Sequence, residues 1–374
     1  MDTGVTRKGN SADNGDYRIT AVPAGTYEVS IGAPGFKTEV RSGIIVTVGA
    51  DSAANFQLTV GAVTEKVEVT AEVAQVDTSS ATMGGFVNST TIRELPLNGR
   101  DWLQLALLQP GVQYNAGSSG GNDSLRTQRG NGMQISVSGG RMAENVFRID
   151  GLVVNDYANS GPGSALRVNM GVDAIREFSI LSNSYTAEYG RGASGVINAI
   201  TKSGTNEYHG SAYYFHRNSA LDARNFFDGL NVAPFRRHQF GGALGGAIKK
   251  DKTFFFTNYE QITEIKSLSQ SFDTISNDAR RGLVCANSAC SSKDQVALDP
   301  RIQPFLDLYP RPNGVVTGDT GRFQFPGARP GQEKYVIGKI DHYFTSNTTL
   351  FGSYSWDNSS IANPDHFGQK QQLV

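Results

Sequence analysis

The sequence has no long apolar segment and no excess of charge of either sign. Hydrophobic residues make up 38% of the 374 residues, but none of the apolar runs approaches the roughly 18 residues that a membrane-spanning helix needs. Lys and Arg number 34 and Asp and Glu number 35, which gives a net charge of −1. This balance argues against a nucleic-acid binder and against docking on anionic lipid through basic clusters. A helical membrane protein is disfavoured, whereas a transmembrane β-barrel, with strands apolar on one face only, is not.

Cysteine is scarce. Cys285 and Cys290 are the only two, five positions apart in a polar stretch. We predict a small disulfide loop in an oxidising compartment, with two unlinked thiols as the alternative. A metal site is not expected, because two thiolates need two further ligands and no His lies nearby.

Recognisable catalytic patterns are also missing. The five His show no metal-binding spacing such as H-E-x-x-H. Gly190–Gly195 matches a dinucleotide-binding pattern, but the β-branched run Val196–Thr201 follows it where that site needs a helix. The sequence therefore predicts no enzyme, no cofactor and no bound metal.

Glycine, by contrast, is abundant, with 43 residues or about 11.5% of the chain. A helix-rich fold is disfavoured, because each interior Gly costs about 1 kcal/mol relative to Ala. Alternating segments separated by turns predict a small β-sandwich over residues 1–60, with strands at Asp16–Thr20, Tyr27–Ile31 and Gly43–Val48. Residues 61–88 are predicted to be a linker that contains one β-rich segment, Lys66–Thr70.

Residues 89–205 combine helix and strand signals. Short helices are predicted at Thr90–Leu95, with Ser89 as the cap, and at Asp101–Leu108. Short strands are predicted at Gln134–Ser138, Val146–Ile149, Glu177–Leu181 and Val196–Thr201. This mixture indicates a compact α+β domain.

Residues 206–374 contain longer, aromatic strands. In Val336–Phe344 the even positions are mostly apolar and Lys339 and Asp341 point the other way. Thr349–Asp357 alternates similarly, and Thr345–Thr348 is a tight turn between the two segments. This pattern fits lipid-facing barrel strands, but an antiparallel sheet of a soluble protein alternates in the same way.

A set of recognisable motifs is spread along the chain in a fixed order: Leu95–Asp101 with Leu107–Val112, Ser136–Arg141, Phe147–Gly151, Ala174–Phe178, Tyr185–Asn198, Phe240–Ile248 with Lys252–Phe256, and Lys339–His342. Together they resemble the plug, the first barrel hairpin and a later hairpin of the Oar-like TonB-dependent outer-membrane receptors. Gly15–Arg18, Pro23–Val29 and Gly35–Phe36 are similar to carboxypeptidase regulatory-like domains. The matches follow the family's order along nearly the whole chain.

The resemblance implies a mainly β protein with four parts. We expect an N-terminally truncated β-sandwich of carbohydrate-binding-like fold (1–60), a linker (61–88), an α+β plug (89–205) and the first strands of a large antiparallel transmembrane β-barrel (206–374). The first residues show no export signal, and about 170 residues are too few for a barrel of about 22 strands of about ten residues each. We therefore expect a fragment of an outer-membrane protein.

The resemblance also implies energised uptake of a large ligand such as an oligosaccharide or a siderophore. The expected partners are TonB with its inner-membrane complex and outer-membrane lipid, and no nucleic acid is expected. The alternative is a surface structural or adhesion protein that binds carbohydrate or matrix without transport.

Two groups of site residues follow from this expectation. The candidate TonB-contact segment, which could instead be the last strand of the preceding domain, is Val67, Glu68, Val69, Thr70 and Ala71. The candidate charges for ion pairs between plug and barrel, which could instead be ordinary exposed side chains, are Arg141, Arg176, Glu177, Glu188 and Arg191.

Overall fold

The structure is a computed structural model. It describes residues 3–20, 22–49, 51–61, 66–70, 83–95, 97–114, 135–155, 161–164, 166, 171–223, 232, 234–346, 348–364 and 370–373. In these ranges no helix has the length and apolar character required to cross a bilayer. One compact unit comprises Met1–Tyr213, Gly241–Glu260 and Lys334–Asn358, and a second comprises Tyr214–Phe240, Gln261–Glu333 and Ser359–Val374.

The N-terminal sheet has three strands in the order β1-β2-β3: β1 Gly25–Ile31, β2 Thr38–Val46 and β3 Lys66–Thr70. Strand β1 pairs with β2 antiparallel, and its side chains alternate between half-buried and exposed, as predicted for Tyr27–Ile31. Strand β3 runs parallel to β2. The structure thus adds Lys66–Thr70 to this sheet, and it forms no strand at Asp16–Thr20.

The central domain is built on a five-stranded sheet of order β4-β9-β10-β7-β8, with a separate pair β5-β6. Its elements are β4 Met83–Val87, α1 Ser89–Glu94, β5 Val112–Tyr114, β6 Ile135–Val137, β7 Val146–Ile149, β8 Leu152–Val153, β9 Ile175–Asn183 and β10 Val196–Thr201. Short 3-10 helices lie at Asn98–Arg100, Trp102–Leu108, Met142–Glu144 and Ala187–Tyr189.

Local sequence signals explain these short elements. Helix α1 is capped by the side chain of Asn88, which accepts a hydrogen bond from the Thr91 N–H at 2.9 Å. Asn88 is thus the cap in place of the predicted Ser89, and Pro96 follows the helix. The second predicted helix forms as a 3-10 helix, and Trp102 packs against Phe178 with ring centroids 4.8 Å apart.

The third sheet contains the longest strands and has the order β11-β12-β13-β17-β18-β19, with β16 paired to β17. Its elements and the segments between them are β11 His209–Asn218, β12 Phe235–Lys249, β13 Thr253–Ile275, β14 Leu283–Cys285, β15 Lys293–Gln295, α2 Gln303–Leu308, β16 Val316–Thr317, β17 Thr320–Tyr343, β18 Thr349–Pro364 and β19 Lys370–Leu373. Strands β14 and β15 form a separate hairpin, and 3-10 helices lie at Ser219–Leu221, Ala279–Arg281 and Pro300–Ile302.

The long strands have two chemically different faces. Their inward face, as we call it, packs on the central domain and includes Phe256, Tyr335 and Ile337, which join the core formed by Trp102 and Phe178. The outward face carries exposed apolar side chains, and these include Leu244, Ile248, Ile340, Leu350, Tyr354 and Trp356. The turn at 250–252 between β12 and β13 is short, whereas 16 residues separate β11 from β12 and 276–319 form a long connection between β13 and β17, at the opposite strand ends. This asymmetry is typical of outer-membrane barrels.

Candidate functional site

The candidate site is the polar interface between the central domain and the inward face of the long strands. We use the term polar interface for one set of eight residues: Arg100, Asp101, Asp150, Asp173, Thr201, Tyr213, Glu260 and Lys339. All eight lie in the first compact unit. Charged side chains that are buried at this interface must be paired or hydrogen-bonded, because an isolated buried charge is strongly unfavourable.

A tight turn in the Leu95–Asp101 motif places the first of these charges. Gly99 and Arg100 are both left-handed, with φ of 76° and 59°. The Arg100 guanidinium forms an ion pair with Asp173, and it also lies over the ring of Tyr213 on β11, 4.1 Å from the centroid. Arg100 therefore connects the turn both to the segment before β9 and to the first long strand.

Asp101 caps the following 3-10 helix by accepting a hydrogen bond from the Leu103 N–H at 3.0 Å. The side chain is buried. Burial raises the pKa of Asp101 to about 7, against the effect of the Leu103 hydrogen bond and with a smaller contribution from the Glu260 charge. At neutral pH the carboxyl group is thus close to its titration midpoint, unlike an exposed Asp.

Glu260 extends from β13 toward Asp101 and Tyr213. It is buried, and its carboxylate accepts a hydrogen bond from the Tyr213 hydroxyl. Gly171 lies against this carboxylate so closely that an added Cβ would overlap it. Gly171 also forms a β-bridge with Asp101, so a glycine is needed where the central domain meets β13.

A second contact is a buried ion pair. Asp150, at the left-handed turn between β7 and β8 (φ 50°), lies 3.4 Å from the ammonium group of Lys339 on β17. Its carboxylate also accepts hydrogen bonds from the Thr201 N–H at 3.0 Å and the Thr201 hydroxyl at 2.6 Å. The side chains of Lys339 and Asp150 are only 7% and 5% exposed, so solvent does not weaken this pair as it would at the surface.

The charges predicted to pair are placed differently. In the described part of the chain, no ion pair links the candidates Arg141, Arg176, Glu177, Glu188 and Arg191 to one another or to the long strands. Arg141, Glu188 and Arg191 are exposed. Water solvates such side chains well, which removes the need for a partner. The ion pairs of the polar interface are formed by other residues, namely Arg100 with Asp173 and Lys339 with Asp150.

Glu177 has a role that the sequence did not indicate. Its buried carboxylate accepts a hydrogen bond from the Val48 N–H, at 2.8 Å, from the segment that follows β2. Burial raises the pKa of Glu177, while this hydrogen bond and the charge of Arg176 lower it to a lesser extent. The contact joins the N-terminal part of the chain to β9.

The candidate TonB-contact segment lies in β3. Val67 pairs with Glu39 and Val69 with Arg41 in the parallel ladder to β2. In the structure this segment is thus a strand of the preceding sheet, as the alternative interpretation of the sequence has it. Within the described ranges β3 is the last strand of its sheet, and its second edge has no strand beside it. Ala71 lies outside the described residues.

Cys285 and Cys290 are joined in a disulfide, with Cα atoms 4.7 Å apart, in the long connection between β13 and β17. The two sulfurs lie near the Asp319 carboxylate, all within 4.8 Å. Disulfide sulfurs are not thiolate ligands, so this cluster is structural: Asp319 accepts a hydrogen bond from the Cys285 N–H at 2.8 Å.

Comparison with known proteins gives matches to two families and several individual proteins. Residues 200–373 match the outer membrane beta barrel domain, and residues 1–59 match the carboxypeptidase regulatory-like domain. The TonB-dependent transporter Oar of Myxococcus xanthus is 30% identical over 260 residues, which cover 66% of this chain and 23% of that protein. The ferrienterobactin receptor of Escherichia coli K12 is 32% identical over 138 residues, covering 34% of this chain and 18% of that protein.

The chain therefore spans about a quarter or less of the length of these curated relatives. Among solved structures, the outer-membrane transporter YddB from Escherichia coli has a TM-score of 0.47 at 14% identity, covering 75% of this chain and 33% of that chain.

Proposed function

Because this chain is a homologue of the Oar-like TonB-dependent outer-membrane receptors, with a carboxypeptidase regulatory-like domain and an outer-membrane β-barrel domain, we propose that the whole protein takes up a large ligand using energy supplied through TonB. Its location is the outer membrane. The relatives are transporters and receptors, and none is an enzyme. Within the proposal, the central domain is the plug and the long strands form part of the barrel wall.

One observation carries the proposal: the plug contacts the wall through a few buried polar groups together with a hydrophobic core. The Asp150–Lys339 pair and the contact of Arg100 with the Tyr213 ring join the two parts. A buried ion pair contributes little net stability relative to apolar packing, but it is specific in geometry. Such contacts suit a domain that must be held in one position and yet be displaced during each transport cycle.

The order of elements along the chain supports the direction of the pull. Strand β3 precedes β4, and β4 is an edge strand of the plug sheet, paired only with β9 in the described residues. A force applied at β3 therefore reaches the β4–β9 ladder before it reaches β10 or β7. TonB would bind by adding a strand, either to the open edge of β3 or to Val67–Ala71 after they leave β2.

The ligand class is also part of the proposal. Two relatives are a ferrienterobactin receptor and a probable siderophore receptor, PirA of Acinetobacter baumannii. From these names we propose that this protein also binds a siderophore-type ligand. An oligosaccharide is the second ligand class to test.

The test is accumulation of labelled ligand by cells that carry the full-length protein, with and without TonB. Ferric siderophores and oligosaccharides are screened first for binding and then for uptake. The proposal expects accumulation that is lost without TonB while surface binding remains. Deletion of Val67–Ala71 should also abolish accumulation and leave binding intact. Binding without any TonB-dependent accumulation would contradict the proposal and favour a surface structural protein.

A further inference from the structure

The outward face of β11 and β12 carries a compact group of hydrogen-bond donors. The rings of His216 and His238 lie 4.5 Å apart across the two strands, tilted by 35°. The Tyr214 hydroxyl is hydrogen-bonded to Nδ1 of His238 at 2.7 Å. Arg236, two residues before His238, is exposed. We name these four residues the outward donor cluster.

Strand alternation places the cluster away from the inward face. Arg237, between Arg236 and His238, forms an ion pair and a 2.7 Å hydrogen bond with the buried Glu264 of β13. Successive side chains of a strand point to opposite faces, so Arg236 and His238 lie on the other side. In the described part of the chain Arg236 makes no ion pair. Among the described residues, no carboxylate therefore neutralises this cation.

The number of residues along β12 indicates where the cluster lies relative to the hydrocarbon layer. About eleven residues of this strand separate His238 from Lys249, which precedes the short turn. A transmembrane strand needs about 9–11 residues to cross the hydrocarbon layer. The outward residues Leu244 and Ile248 between these points are apolar and exposed. The cluster thus begins where the hydrocarbon layer ends, at the end with the long connections.

We propose that the outward donor cluster binds the phosphate group of an anionic lipid headgroup in the outer leaflet of the outer membrane. Because Tyr214 occupies Nδ1 of His238, Nε2 is the ring nitrogen left for a phosphate oxygen, and Arg236 supplies a planar pair of N–H donors suited to such oxygens. His216 adds a further ring nitrogen beside His238. Tyr214 holds His238 in this orientation.

The test uses purified, delipidated full-length protein and measures binding of diphosphorylated lipid A in mixed micelles. Dephosphorylated lipid A and inorganic phosphate are the two comparison probes. The variants are Arg236→Gln and the pair His216→Gln with His238→Gln, because glutamine keeps the polarity and removes the charge or ring. His209→Ala, an exposed His at the start of β11, is the matched control.

We expect diphosphorylated lipid A to bind about tenfold or more weakly to each donor variant, the effect of losing a charge-assisted hydrogen bond. The dephosphorylated lipid should bind the parent protein as weakly as it binds the variants. Binding should be unchanged in His209→Ala. Equal lipid A binding by the parent and by folded donor variants would overturn the proposal. Inorganic phosphate binding as tightly as lipid A would also overturn it, since the site would then recognise a free anion.

Discussion

Replacement of Lys339 by methionine should destabilise the plug, because the change leaves the Asp150 carboxylate without a cation in a buried site. Removing one partner of a buried ion pair costs about 3–5 kcal/mol. Here Asp150 keeps two hydrogen bonds from Thr201, and the lost contact is a long one at 3.4 Å. We therefore expect the free energy of unfolding to fall by about 3 kcal/mol, near the lower end of that range.

The double replacement Asp150→Asn with Lys339→Met should restore most of this loss. Asparagine tolerates the left-handed turn at position 150 and still accepts a hydrogen bond from the Thr201 N–H. With both charges removed, the remaining cost should be about 1 kcal/mol. The double variant should therefore be about 2 kcal/mol more stable than Lys339→Met, and the coupling energy in the double-mutant cycle exceeds this value by the cost of Asp150→Asn alone.

Fluorescence can report this unfolding specifically. The chain has two Trp residues: Trp102 is 1% exposed in the plug core, whereas Trp356 is 40% exposed on β18. In a background in which Trp356 and any Trp outside these 374 residues are replaced by Phe, urea titration of the full-length protein in detergent follows Trp102 alone. A Lys339→Met variant within about 0.5 kcal/mol of its parent, the usual range for surface changes, would refute the reasoning.

Two further predictions concern single groups. Burial raises the pKa of Asp101 to about 7, above the roughly 3.9 of an unfolded chain. Between about pH 4 and pH 7 the folded protein therefore keeps a proton on Asp101 that the unfolded chain has lost. Stability should therefore fall as the pH rises from about 4 to 7, by at most about 1.4 kcal/mol per pH unit, and Asp101→Asn should lack this slope in urea titrations. Loss of the disulfide in Cys285→Ser with Cys290→Ser should weaken the β14–β15 hairpin by about 2 kcal/mol, as expected for closing so small a loop, and limited proteolysis should detect faster cleavage there.

The strand positions could be predicted where the sequence is β-branched or alternates strictly. Val146–Ile149 and Val196–Thr201 form β7 and β10 with the predicted bounds. Lys339 is buried on the inward face while Ile340 is exposed, as the alternation indicated. The mainly β fold and the similarity to the Oar-like receptors were confirmed for the same reason, since both depend on local patterns and ordered motifs.

The pairing of charges could not be predicted, because it depends on long-range contacts. Asp150 stands out in the sequence as a charge among apolar residues, but its partner Lys339 lies 189 positions away. Arg100 and Asp173 are 73 positions apart. By contrast, Asp16–Thr20 has the composition of a strand and forms none, since a β-prone segment needs a neighbouring strand to pair with.

The central claim is that the plug must leave the inward face of the long strands during uptake. Gly171 of the plug lies against Glu260 of β13, so a disulfide between Gly171→Cys and Glu260→Cys in the full-length protein should hold the two parts together. The measurement is TonB-dependent ligand accumulation before and after oxidation, and the controls are Glu260→Cys alone and Gly171→Cys with Glu260→Ala, which leaves room for the side chain at position 171. The account predicts that oxidation stops accumulation and that reduction restores it, and undiminished accumulation by fully crosslinked protein would contradict it.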